Sequence, residues 1–131
     1  LVHLSRADWG KYALEHLRAA RGEATKLLSV DSAARLHRPP EGEHYAAGWG
    51  RPEPDWTAGT PLAHAGSNTM WYAKIWIVPQ HNTAWLVTAN EATEQAKKAC
   101  GELIRELAQQ YAPPQGEPAS AAPAAADPGH D

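Results

Sequence analysis

The sequence predicts an α/β (α+β) fold in which antiparallel strands are flanked by helices, and three observations carry that expectation. Between residues 71 and 89 the apolar residues recur with a period of two, which is the period of a strand. Residues 91–111 then return to a helical period. Both faces of the 71–89 hairpin are apolar, so covering layers are expected on both sides of the sheet.

The N-terminal helix is expected over residues 5–21. Ser5 caps it with Asp8 three positions later, Trp9, Ala13, Leu14 and Leu17 form its apolar stripe, and Gly22 stops it. A short second helix begins near Asp31 and runs to Leu36, where Pro39-Pro40 prevents continuation. Residues 50–60 are a loop dense in helix and strand breakers, and Trp56 within it could line a pocket mouth.

In the hairpin, Trp71, Ala73, Ile75 and Ile77 share one face, with Tyr72, Lys74, Trp76 and Val78 on the other. Pro79 to Asn82 supply the turn and residues 84–89 the returning strand. Asn90 is placed to cap the 91–111 helix, whose apolar face reads as Ala92, Ala96, Ala99, Leu103, Leu107 and Tyr111. Glu94 and Lys98 form an i,i+4 pair on its wet side. Residues 112–131 contain seven Ala and five Pro and are expected to be disordered.

Composition excludes several function classes. A formal net charge of −3 over 131 residues gives no electrostatic reason to bind nucleic acid. No apolar run is long enough to span a membrane. Cys100 is the sole cysteine, so no intrachain disulfide forms. The seven His lack metal-ligand spacing, and no P-loop or dinucleotide fingerprint is present, so neither a metal nor a cofactor is expected. The six Trp and four Tyr, with no Phe, suit half-buried faces and pocket walls.

One ordered set of motifs points to chemistry. Tyr45-Ala46-Ala47-Gly48-Trp49 precedes His64-Ala65-Gly66-Ser67-Asn68, which is followed by a Pro-containing hairpin, a strand ending in Asn90, and a long helix. Upstream stands Leu4-Ser5-Arg6-Ala7-Asp8-Trp9. This order resembles the C-terminal part of class C β-lactamases and their penicillin-binding, esterase and D-peptidase relatives, and it covers residues 1–111. The resemblance implies that residues 62–67, 71–78 and 84–89 are adjacent antiparallel strands. It implies a pocket-facing His64, a Gly66 that lets substrate lie close to the strand, and a Ser67 main-chain N–H that donates to an oxyanion. Asn68 and Trp56 are the further substrate-binding candidates. Each has a plainer reading: His64 as an exposed polar residue, Gly66 as a bend, the strand tryptophans as packing.

The same resemblance exposes a gap. The family's nucleophile and base lie in Ser-x-x-Lys and Tyr-x-Asn motifs, and neither occurs here; Ser32 with Arg35 comes nearest. The nucleophile is therefore expected from an upstream segment, the substrate is expected to be a small ester or amide, and export to the periplasm is what the family implies. A catalytically inactive binding relative and a small independent α+β binding domain stand as alternatives.

Overall fold

The computed structural model describes residues 3–57 and 59–111. The elements run α1 (Arg6–Ala20), α2 (Val30–His37), β1 (Leu62–Ser67), β2 (Tyr72–Val78), β3 (Thr83–Ala89) and α3 (Glu94–Tyr111). The class is α+β, as the hydrophobic periods predict. The expectation of a disordered tail falls on residues 112–131, outside those described.

Local chemistry fixes the element ends. Ser5 caps α1, its hydroxyl accepting from the Asp8 N–H at 3.1 Å. At the other end Gly22 takes φ +81°, and the Glu23 and Gly22 N–H groups reach back to the Arg18 and Ala19 carbonyls. That is a Schellman ending, with glycine at the left-handed position. Ser29 caps α2 by accepting from the Ser32 N–H.

The three strands form one antiparallel sheet in the order β1-β2-β3. Leu62 pairs with Ile77 and Ser67 with Tyr72 across β1 and β2, and Tyr72 with Ala89 across β2 and β3. Pro79 to His81 make a short 3-10 turn that Asn82 closes at φ +51°. One sheet face buries Leu62, Ile75 and Ile77 against Ala13 and Leu17 of α1 and against Trp49. The other buries Tyr72, Val78, Trp85 and Val87 against Cys100, Ile104 and Ala108 of α3. The expected covering layers are both present, with α1 and α3 on opposite sides.

Four expectations need correction. The apolar face of α3 is Cys100, Ile104 and Ala108; Ala99, Leu103 and Tyr111 lie exposed, so the predicted stripe is rotated by about one residue. Helix α3 starts at Glu94, and Thr93 rather than Asn90 does the capping, its hydroxyl accepting from the Ala96 N–H. The chain leaving β3 needs residues 90–93 to climb from the sheet into the helix layer, which puts Asn90 too early to cap. Glu94 pairs with Lys97 at 2.6 Å, leaving Lys98 to Glu102 at 3.7 Å. Finally, Trp71 precedes β2 and is 57% exposed instead of packing on its inner face.

Candidate functional site

Strand β1 is an edge strand over most of its length. Among the described residues its outer side meets only Gly50, whose N–H and carbonyl exchange hydrogen bonds with Ala63 at 2.8 and 2.9 Å. The Ala63 groups therefore point away from β2, and by antiparallel alternation so do those of Ala65 and Ser67. The Ser67 main-chain N–H consequently faces out of the sheet at an open edge, where an incoming acyl group could meet it.

Side chains alternate across this edge. His64 and Gly66 lie on the α1 side, opposite Ile75 and Ala73; Ala63, Ala65 and Ser67 lie on the α3 side. Ser67 and His64 therefore face opposite ways and cannot work as a serine–histidine pair. The Ser67 hydroxyl is engaged locally, accepting from the Thr69 N–H at 2.9 Å. The His64 Nδ1 lies 3.3 Å from the Tyr45 hydroxyl.

Tyr45 reaches His64 because residues 45–50 form a tight turn. The Ala46 N–H bonds the Trp49 carbonyl at 2.7 Å, and Gly48 at φ +84° supplies the left-handed corner. Trp49 then anchors this turn in the core, so the two aromatic residues of the Tyr-x-x-Gly-Trp stretch divide the work. Tyr45 stands at the site and Trp49 holds it there.

Two cavities flank β1. On the α3 side one of about 620 Å³ is bounded by Tyr45, Arg51, Pro52, Ala63, Lys74 and Trp76. On the α1 side one of about 520 Å³ is bounded by Trp9, Tyr12, Trp49, His64, Gly66 and Ala73. Both volumes lie within the usual range for small-molecule sites, roughly 300–1,000 Å³. His64 stands at the rim of both.

No family model matches the chain, and neither curated proteins nor solved structures give a significant match.

Of the residues singled out from sequence, His64, Gly66 and Ser67 come together on one edge. Asn68 is adjacent, but its Oδ1 accepts from the Met70 and Trp71 N–H groups at 3.2 and 2.8 Å, which makes it the builder of the β1–β2 turn. Trp56 is elsewhere. Its ring lies 4.8 Å from that of Trp76 under α3, where it borders a separate cavity of about 370 Å³ with Lys74, Lys98 and Arg105 and neither cavity at His64. Among the described residues no three His, Cys, Asp or Glu side chains converge as a metal site would, and no helix is long and apolar enough to cross a membrane.

Sequence reasoning missed a buried pair. His16 on α1 and His37 on α2 are 6% and 7% exposed, with Nδ1 of His16 2.8 Å from Nε2 of His37. Tyr12 and Trp49 close over them, their rings 4.6 and 4.9 Å from that of His16. Burial lowers the pKa of both. For His37, burial acts first and the nearby His16 and Arg51 add to it, bringing the value to about 4. His16 continues the Trp9–Ala13–Leu17 stripe one turn after Ala13, which is the signal that could have marked it as inward-facing.

Proposed function

We propose that this chain forms the substrate-facing strand and its supporting layers in a β-lactamase-related serine hydrolase, one that cleaves an ester or amide through an acyl-serine intermediate. The observation that carries the reading is the open edge of β1, where the outward Ser67 N–H stands next to His64 and Gly66. The motif order in the sequence supports the same assignment. In this proposal the substrate carbonyl lies along the edge, and the Ser67 N–H donates to the oxyanion as the tetrahedral intermediate forms. Such a donor contributes roughly 10²–10³-fold in rate. His64, held by Tyr45, donates to the substrate or to the catalytic network. The attacking serine and its base come from a segment carrying Ser-x-x-Lys and Tyr-x-Asn.

The test has two parts. The coding sequence upstream of Leu1 is read for those motifs, and the protein that includes them is treated with a fluorophosphonate probe. One stoichiometric adduct on the longer protein and none on residues 1–131 is the expected result. An adduct on residues 1–131 alone, or an absence of the upstream motifs, overturns it. The second reading is a non-hydrolytic binding module, favoured by the two open cavities that this chain's own residues line.

A further inference from the structure

The turn between β1 and β2 is tightly specified for a segment that lies outside both cores. Thr69 holds φ +77°, a conformation that a β-branched residue rarely adopts. Three local hydrogen bonds enforce it: Ser67 Oγ accepts from the Thr69 N–H, and Asn68 Oδ1 accepts from both the Met70 and Trp71 N–H groups. The result presents Trp71 and Met70 to solvent, 57% and 68% exposed. Backbone strain enforced in this way, with no apolar burial to offset it, is characteristic of functional segments.

Trp71 stands at the end of a groove. A cavity of about 280 Å³ at the turn is bounded by Gly66, Trp71, Ala73 and Thr88. It shares Gly66 and Ala73 with the 520 Å³ cavity bounded by Trp9, Tyr12 and Trp49. Gly66 and Ala73 are directly paired across β1 and β2, so two minimal side chains make the floor. A Cβ added at Gly66 would meet nothing within 4 Å, which shows the space above the floor to be open. Among the described residues no Asp, Glu, Lys or Arg borders either cavity, and the polar residues that line them are neutral: Tyr12, His64, Ser67, Asn68, Tyr72 and Thr88.

We propose that this groove binds a neutral apolar group, a single aromatic ring or a short alkyl chain, which lies over Gly66 and Ala73 between Trp71 and the Trp9–Tyr12 wall. Aromatic walls and a flat floor suit a ring, and a lining without carboxylates or cationic lysine and arginine heads disfavours a carboxylate or ammonium in the same place. The polar end of the ligand, an amide or ester, then reaches the β1 edge at His64 and Ser67. The groove shares these residues with the proposed hydrolytic site, yet its occupancy requires no nucleophile, so the two readings fail separately.

The experiment is equilibrium dialysis of residues 1–131 against N-methylphenylacetamide, N-methylacetamide and phenylacetate. The phenyl amide is expected to bind at least about tenfold more tightly than either of the others, since a buried ring contributes more than the 1.4 kcal/mol that tenfold represents. Trp71→Ala and Gly66→Val, the latter filling the floor, each remove that preference. Leu103→Ala, which trims an exposed apolar residue on α3, leaves it intact. Equal binding of the two amides, tighter binding of phenylacetate, or an unchanged preference in Trp71→Ala overturns the proposal. Circular dichroism checks that each variant is folded, and Trp71→Ala decides the matter if Gly66→Val is not. Phenyl-amide binding without any probe adduct on the longer protein would sink the hydrolase and leave the groove; an adduct without ring preference would do the reverse.

Discussion

At the scale of single residues, the His16–His37 contact makes stability depend on pH. One ring must donate its N–H and the other accept, so two imidazolium rings cannot share the 2.8 Å contact. Both histidines have folded-state pKa values below the ordinary 6.5, with His37 at about 4. The unfolded chain thus binds more protons than the folded one between those values, and stability rises with pH across that window. From about one pH unit above 6.5 both rings are neutral in either state and the pair imposes no penalty. As pH falls from 6.5 towards 4 the penalty grows, reaching about 3 kcal/mol for His37 alone at 1.36 kcal/mol per unit. Arg51 beside His37 deepens the effect, whereas Glu15 beside His16 partly offsets it. Urea unfolding from pH 8 to pH 4.5 is expected to show a midpoint that is flat near pH 8, begins to fall as pH approaches 6.5 and falls steadily below it. The double variant His16→Phe, His37→Leu is expected to flatten that fall, and an unchanged slope would remove the pair as its source.

At the scale of elements, α3 separates what periodicity can and cannot decide. Leu103 and Ile104 are neighbours, both apolar, and both fit a helical stripe; only packing against Trp85 and Val87 selects Ile104. Ile104→Ala is therefore expected to cost about 2–5 kcal/mol, and Leu103→Ala within about 0.5 kcal/mol of nothing. Thermal unfolding of the two variants checks this, and similar losses for both would restore the rotated stripe. The ambiguity arose because alanines lie around much of the helix, so several faces look equally apolar. The strands carried no such ambiguity. Alternation with a period of two sorts each strand into two fixed faces, one under α1 and one under α3, and β2 and β3 lie within a residue of expectation, although Trp71 falls just outside because Asn68 needs its N–H for the turn. The candidate edge was legible because His64, Gly66 and Ser67 lie within one four-residue stretch. The His16–His37 contact was not, since it joins residues 21 positions apart on two helices and exists only once those helices pack.

At the scale of the whole molecule, the surfaces that the fold leaves open decide how it associates. Apolar hairpin faces are not among them, because α1 and α3 bury Ile75, Ile77, Val78 and Trp85. Burial of those side chains, at roughly 1.5–3 kcal/mol each, favours a cooperative fold. Apart from the groove over Gly66 and Ala73, the open features are edges. Among the described residues β3 pairs only with β2, and the register directs the Ala84, Leu86 and Thr88 main-chain groups outward. Three successive outward positions on one edge offer donors and acceptors to any strand that lies alongside. Charged side chains usually guard such edges, and none of the seven residues of β3 is charged. Residues 1–131 are accordingly expected to unfold in one cooperative transition and yet to associate through β3, with a sedimentation coefficient that rises with concentration. Thr88→Pro removes one outward N–H without touching the β2 pairing, and is expected to shift the chain towards monomer at unchanged thermal stability. In the hydrolase reading a strand from the upstream segment occupies this edge, so adding that segment should suppress association as the proline does. A chain that sediments as a monomer at every concentration would contradict the edge argument and favour a self-contained α+β binding domain instead.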